Sequence, residues 1–547
     1  MSLSEINRHI EVGNNLFNEG RYEEALRHYR KALIIDNKNP VPYYNIANIL
    51  ALMWKFSSAE RHYQSAIHYG LKKPEVYNNL GNVLKDLGRL SDAISAYRSA
   101  LSLEPNMFEA LNGLGNTLLA QGLIDESIKS YCNALKLRPD NPETFSNLLL
   151  ALNYHHRISP TDIFNAHRAY GEIYADVNIK RNKFKNKKIR LGYVSPDFRR
   201  HSVSYFILPI LQCHNRDIFE IYCYSDVQAP DRYTHTFRSL ADLWIDTFNV
   251  DHKRLFERIL SDKIDILIDL AGHSAYNRLP VFAKKPSPIQ ITYLGYPNTT
   301  GLSTIDYRIV DPYTDPEGLT NSLNTERLLR MSDCFLCFSP ETDSPPCTDP
   351  PAIKNGYITF GSLNNISKVN DLVIGLWADI LLQIKDSRIL IKSKALNDPS
   401  VKMKIKDSLI KKGIDEQRII LLGYIKGFYS HLEIYNLIDI ALDTFPYNGT
   451  TTTFEALFMG TPVVTLKGNT HCSRVGFSIL KNLCCDELIA DQYDDYISIC
   501  KALSLDISRL KDYKKGLRQR LLDSILTNKV EFTKRFEDLL LKIHDSN

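Results

Sequence analysis

The sequence predicts an α plus α/β architecture, an N-terminal helical repeat array followed by two α/β domains, and three observations carry that expectation. The first 140 or so residues repeat at a fixed interval, with Ala59 and Ala93, or Gly81 and Gly115, 34 positions apart. From Ile189 onward, short apolar runs alternate with amphipathic helical segments. A Pro/Ser/Thr-rich stretch from Ser339 to Pro351 divides that second part in two. At 547 residues the chain exceeds what one hydrophobic core can serve, so several domains are expected from size alone.

The repeat is read from five registers. Gly13, Ala47, Gly81 and Gly115 share one, and Gly20, Trp54, Gly88 and Gly122 another. Ala25, Ala59, Ala93 and Ser127 form a third, Tyr29, Tyr63, Tyr97 and Tyr131 a fourth, and Ala32, Ala66, Ala100 and Ala134 a fifth. Small residues stand where the two helices of a hairpin touch, aromatics where one unit plugs into the next, and Pro105 and Pro139 where a helix must stop. This is the tetratricopeptide (TPR) pattern. Four full repeats cover about residues 5–140, and a partial helix, Pro142 to Tyr154, carries Leu149 where a small residue is due, as in a cap docking on the next domain. The expected domains are residues 1–156, 157–345 and 346–547.

Such an array presents a concave binding groove, and asparagines recur along it: Asn48, Asn82 and Asn116 after Asn14, and separately Asn45, Asn79 and Asn147. An amide offers donors and an acceptor, so a row of them can hold an extended peptide backbone whatever its sequence. The alternative is hydrogen bonding between repeats; Gly113 interrupts the second row and Asn112 sits one position off.

Composition excludes several classes. Hydrophobic residues make up 44% and charged residues 24%, as in ordinary globular proteins, and 67 basic against 63 acidic residues leave a net +4 that points to no nucleic-acid partner. Met1 to His9 lacks the basic-then-apolar layout of a secretion signal, and no apolar run approaches the ~20 residues needed to span a bilayer. Ten scattered cysteines form no disulfide framework, so a cytoplasmic location is expected. Cys334 and Cys337 make a CxxC, but with no second pair it is read as two ordinary half-buried thiols.

Beyond the turn at His156 to Pro160, Ser159 is placed to cap a helix from Thr161 to Ala175, and the basic stretch Lys180 to Lys188 reads as a linker. Strands are expected at Ile189–Val194, Phe219–Tyr224, Ile264–Asp269, Ile289–Tyr293 and Tyr307–Val310, then at Ile358–Gly361, Ile389–Ile391, Ile419–Leu422, Ile438–Leu442 and Pro462–Leu466. Two Rossmann-like halves with a cleft between them follow, and ligands in such sheets bind beyond the carboxyl ends of the strands. There Thr450, Thr451, Thr452 and Thr453 precede a helix, where backbone N–H groups and hydroxyls suit a pyrophosphate, and Glu455 one turn on suits ribose hydroxyls. Neither GxxxxGK[ST] nor GxGxxG is present, nor any Asp-x-Asp to grip a metal–diphosphate. A leaving group must then be neutralised by cations and dipoles, and Lys368, after a strand, is the candidate. In the other half, His201 and the pair Asp269 and His273 follow strands, as does the glycine-bounded loop Leu294 to Gly301 with Gly295 and Pro297.

In this order behind TPRs, the blocks Tyr193–Ser204, Asp265–His273, Gln290–Gly301, Asp333–Cys337, Asp443–Glu455 and Gly460–Thr465 resemble the O-GlcNAc transferase and SPINDLY family (glycosyltransferase family 41). The resemblance implies a GT-B fold and inverting, metal-independent transfer to Ser/Thr hydroxyls with no cofactor beyond the sugar donor. It implies that Lys368 neutralises the diphosphate with Asn365 beside it, that Thr450, Thr451, Thr452 and Glu455 hold phosphates and ribose, and that His201, Asp269 and His273 line the sugar and acceptor side. The group that takes the hydroxyl proton is left open. Two departures matter: the linker has no room for the long insert of animal O-GlcNAc transferases, and Thr450 stands where they carry a histidine. The threonine run and Pro297–Gly301 look more like plant SPINDLY, a GDP-fucose-dependent protein O-fucosyltransferase, so GDP-fucose is ranked slightly ahead of UDP-GlcNAc. The rival readings are a repeat scaffold with an inactive transferase domain and a transferase acting on a glycan or small molecule. Acceptor proteins and oligomeric state are not legible.

Overall fold

In the computed structural model, which describes residues 3–546 apart from 177, 178, 180 and 342, the chain divides into two compact units. One comprises Met1–Thr144 with Lys394–Ile405, the other Phe145–Ser393 with Lys406–Asn547. The partial helix is thus shared across the boundary, and a short segment of the C-terminal half groups with the repeats.

The first unit holds four helical hairpins: α1 (Leu3–Asn18) with α2 (Tyr22–Ile35), α3 (Pro40–Leu52) with α4 (Phe56–His68), α5 (Pro74–Asp86) with α6 (Leu90–Leu103), and α7 (Phe108–Ala120) with α8 (Ile124–Leu137). The repeat registers are their packing core: Ala25, Ala59, Ala93 and the four tyrosines are 0–1% exposed. A Cβ added at Gly81 would stand 2.8 Å from the Tyr97 ring and one at Gly113 2.6 Å from it, so both helices flanking that ring need glycine. This explains why Gly113 interrupts the asparagine row. Each buried tyrosine donates to the asparagine 15 residues earlier: Tyr29 to Asn14 (2.8 Å), Tyr63 to Asn48 (2.6 Å), Tyr97 to Asn82 (2.7 Å) and Tyr131 to Asn116 (2.8 Å). Asn45 and Asn79 in turn donate to Asn14 (3.0 Å) and Asn48 (3.2 Å). The amide oxygens therefore satisfy buried hydroxyls, and what the row retains for a ligand is its N–H donors. Within this unit, Asp398 accepts from Ser91 N (2.8 Å) and Ser91 Oγ (2.9 Å), joining the 394–405 segment to α6, while Gln121 donates to the same Ser91 Oγ (2.9 Å).

The second unit begins within α9 (Pro142–Tyr154), whose Leu149 is fully buried, and continues with α10 (Pro160–Tyr174), capped by Ser159 Oγ accepting from Asp162 N (3.1 Å). The basic stretch that follows carries no helix or strand from 181 to 187; Lys180 lies outside the described residues. Seven parallel strands form the first sheet: β1 (Ile189–Ser195), β2 (Phe219–Ser225), β3 (Leu243–Asp246), β4 (Ile266–Asp269), β5 (Ile289–Thr292), β6 (Tyr307–Val310) and β7 (Arg327–Arg330). Their order is β3-β2-β1-β4-β5-β6-β7. Six form the second: β8 (Thr359–Ser362), β9 (Arg388–Lys392), β10 (Ile419–Leu422), β11 (Ile440–Leu442), β12 (Val463–Leu466) and β13 (Ile489–Ala490), in the order β10-β9-β8-β11-β12-β13. Both are open, doubly wound sheets with central strands buried on both faces. All ten cysteines are free thiols, Cys334 and Cys337 among the fully enclosed ones rather than half-buried. Among the described residues, no helix is long and apolar enough to cross a membrane.

Candidate active site

The strand ends of the two sheets enclose a cavity of about 270 Å³ lined by His201, Gly295, Pro297, Asn365, Lys368 and Thr450–Thr452, with Tyr447 and His471. The sequence-predicted residues from both halves are thus brought together, apart from three.

On the C-terminal half, β8 ends at Ser362 and the chain turns through a short 3₁₀ segment, Ile366–Lys368, begun by Asn365 Oδ1 accepting from Ser367 N (3.2 Å). That turn delivers Lys368 into the cavity. Its Nζ donates to the Asn448 carbonyl (2.8 Å) and lies 4.4 Å from the centre of the Tyr447 ring. Burial lowers the Lys368 pKa to about 8, and the neighbouring Asp443 carboxylate pulls it back up. Asp443 itself accepts from Gly449 N (2.6 Å), Thr444 N (2.8 Å) and Thr465 Oγ1 (2.7 Å), which ties the loop after β11 into shape.

That loop feeds the helix Thr451–Phe458. Thr450 precedes it without making a side-chain cap, Thr452 Oγ1 donates to Asn364 (3.1 Å), and Thr453 Oγ1 bonds back to the Gly449 carbonyl (3.0 Å). The first N–H groups of this helix and the Thr450 and Thr451 hydroxyls are left to meet an anion. Glu455 stands behind the cavity wall, accepting from Tyr435 Oη (3.2 Å) and His431 Nε2 (3.1 Å). Lys392 Nζ donates to His431 Nδ1 (2.9 Å), so the ring proton sits on Nε2.

On the N-terminal half, His201 follows β1 with its Nδ1 3.4 Å from Asp197 Oδ2; its side chain is 38% exposed, which leaves it reachable. Asp269 and His273, expected to line the sugar and acceptor side, do not line the cavity. Asp269 is buried and accepts from Ala271 N (3.0 Å), Gly272 N (2.9 Å) and Thr292 Oγ1 (2.8 Å); burial raises its pKa to about 6 against those bonds. It shapes the turn after β4. His273 is fully buried with both ring nitrogens engaged, Nδ1 with Ser146 Oγ (2.9 Å) and Nε2 with the Thr300 carbonyl (2.8 Å). An imidazole with no free nitrogen has no acid–base role to offer; this one joins α9 to the loop Leu294–Gly301. Tyr296 Oη completes that junction, meeting His167 Nε2 (2.8 Å) and Asn153 Nδ2 (2.7 Å). Glu455, likewise, is a supporting residue rather than a wall of the cavity.

Sequence reasoning missed Tyr447, the Lys392–His431 pair and His471. Tyr447 stacks on Tyr154 at 4.9 Å, a contact between positions 293 residues apart (447 less 154) that no local pattern announces. His431 sits in a short helix, Phe428–Glu433, with no motif around it.

The comparisons with known proteins agree with this geometry. The glycosyl transferase family 41 model matches residues 173–339 and 351–536. The chain belongs to glycosyl transferase family 41. TPR models match residues 13–53 and 78–142. A Petunia hybrida protein named probable UDP-N-acetylglucosamine–peptide N-acetylglucosaminyltransferase SPINDLY is 39% identical over 400 residues, 72% of this chain and 43% of that protein. The Arabidopsis thaliana protein of the same name is 38% identical over 395 residues, 71% of this chain and 43% of its own. The chain thus matches less than half the length of these curated relatives. A solved structure of a mutant O-GlcNAc transferase from Thermobaculum terrenum superposes with a TM-score of 0.87 at 32% identity, covering 92% of this chain and 97% of that one. Repeat array and paired Rossmann-like domains are therefore the architecture of a solved family member.

Proposed function

We propose that this family 41 chain transfers a glycosyl group, with inversion and without metal, from a nucleoside diphosphate sugar to Ser/Thr hydroxyls of proteins held by its repeat groove. The observation that carries the reading is Lys368, half-buried in the wall of the same cavity as the open helix N-terminus at Thr450–Thr451. A leaving nucleoside diphosphate gathers negative charge as the glycosidic bond breaks; a fixed ammonium and oriented N–H groups stabilise it more than they stabilise the bound donor. His201, reachable from the cleft, stands on the acceptor side. An inactive scaffold would have no use for an ammonium aimed into such a cavity.

GDP-fucose is ranked ahead of UDP-GlcNAc because of the threonine run shared with SPINDLY; the second donor is favoured by the relatives' names, which specify UDP-N-acetylglucosamine. Incubation with a panel of nucleotide sugars, following nucleotide release and label transfer to protein, tests the reading. Turnover with one donor is expected, unchanged by EDTA, since the cation and helix terminus take the place of Mg²⁺ or Mn²⁺. Inactivity with every donor refutes the transferase, and activity lost in EDTA and restored by Mn²⁺ refutes the metal-free part.

The groove is tested separately. Removing residues 1–72 deletes the first two hairpins but keeps Ser91, which holds the 394–405 segment through Asp398, and Gln121, which bonds to Ser91. Modification of folded protein substrates is expected to fall at least about tenfold in kcat/KM while donor hydrolysis persists, because each repeat contributes mainly through its neighbours. Equal loss in both assays would make the repeats structural support only.

A further inference from the structure

His471 belongs to no motif singled out in the sequence, yet it lines the cavity that holds Lys368 and also a larger one, of about 530 Å³, on its other side. It opens a 3₁₀ turn, His471–Ser473, that follows β12. Its Nδ1 lies 2.5 Å from Asp315 Oδ2, both side chains being at most 5% exposed, and Phe335 meets the ring edge-on at 4.9 Å. Burial works against the Asp315 charge, but His471 and Arg308, the latter 3.9 Å away, hold that carboxyl below its ordinary pKa. An ionised carboxylate only accepts, so it fixes the imidazole proton on Nδ1 and leaves Nε2 as a lone-pair acceptor.

The order of strands says what that acceptor meets. Lys392 ends β9, and His431 follows β10; Lys368 follows β8 and the threonine run follows β11; His471 follows β12. Along the sheet edge β10-β9-β8-β11-β12 the polar groups run from the Lys392–His431–Glu455 cluster, through the anion site, to His471. We propose that a diphosphate on Lys368 places its nucleoside toward β9 and β10 and its sugar toward β12, and that His471 is a specificity residue for that sugar, its Nε2 accepting a hydrogen bond from a sugar hydroxyl, with Asp315 as the positioning residue. This rests on the nucleotide-sugar reading above.

The test compares two affinities in each protein. Calorimetry is run with GDP and GDP-fucose, and with UDP and UDP-GlcNAc, on the full chain and on His471→Ala, His471→Gln and Asp315→Asn. The free diphosphate should bind the variants as it binds the wild type, which also reports an intact cleft. The matching sugar nucleotide should bind His471→Ala about tenfold more weakly, the loss of one buried hydrogen bond. His471→Gln, which keeps an acceptor, should recover part of it, and Asp315→Asn, which frees the tautomer, should lose less than His471→Ala. Equal weakening of diphosphate and sugar nucleotide overturns the proposal, because His471 then shapes the whole cleft. Unchanged sugar-nucleotide affinity with a lowered kcat overturns it too, in favour of a role in proton transfer. If the wild-type chain binds neither pair, the nucleotide-sugar reading falls and takes this inference with it.

Discussion

The Lys368→Ala enzyme is expected to lose about 10²-fold in kcat, a change of ~3 kcal/mol in the barrier. The size follows from the surroundings. The amine is enclosed, anchored on the Asn448 carbonyl and set over Tyr447, so it needs no reorganisation when the diphosphate gains charge. The same enclosure lowers its pKa to about 8, so in the free enzyme the charge is full below pH 8 and is lost as the pH rises through it. Donor kcat/KM should therefore fall on the alkaline side of about pH 8. Stability has the opposite sense: folding disfavours this charge, the penalty is complete below pH 8, and it fades as the pH rises from there toward the unfolded value of 10.5. Replacing the amine relieves that penalty, so the melting temperature should not drop. Wild-type turnover in the variant, or a collapse of its melting temperature, would show that Lys368 is a structural cation instead.

The second large effect concerns two glycines, Gly171 outside any motif and Gly301 at the end of the loop Leu294–Gly301. A Cβ on Gly171 of α10 would stand 1.8 Å from the Gly301 carbonyl oxygen, and a Cβ on Gly301 1.8 Å from the His167 carbonyl oxygen, with Gly301 also at φ +77°. Both obstacles are backbone, which has no rotamer to escape into. Gly301→Ala should cost roughly 3 kcal/mol or more, from overpacking together with left-handed strain. Gly171→Ala should cost nearly as much from the clash alone. The control is Gly318→Ala, where φ is +84° but nothing lies within 4 Å, and only ~1–2 kcal/mol of strain is expected. Thermal unfolding should rank them in that order. Because Gly301 ends the loop that brings Gly295 and Pro297 to the cavity, donor affinity should fall with Gly301→Ala and hold with Gly318→Ala. A Gly171→Ala protein that melts like wild type would mean that α10 and the loop do not meet backbone to backbone.

Much of this protein is legible in its sequence because the deciding physics is local. A period of 34 small and aromatic positions can only be satisfied by stacked hairpins, and all eight helices of the array form where the registers demand them. Tyr307–Val310 and Ile419–Leu422 match the expected strands residue for residue, and the other expected strands differ by two residues or fewer at either end. The strands missed are β3 and β7, four-residue edge strands whose residues are exposed or half-exposed, and β13, only two residues long. Lys368 and Thr450–Thr452 were readable because strand ends in such sheets converge on the cleft.

What only the tertiary structure decided is where each ring nitrogen and each carboxylate points. His273 and Asp269 carry as promising a local sequence as His201, but Ser146, Thr300 and Thr292 arrive from elsewhere in the chain and occupy them. His471 has no local signal, yet Asp315, 156 positions away, gives it a fixed tautomer and a place in the cavity wall. Periodicity records which face of an element is buried; it holds no information about which distant donor will satisfy a buried polar atom, and that pairing separates a supporting residue from one a ligand can reach.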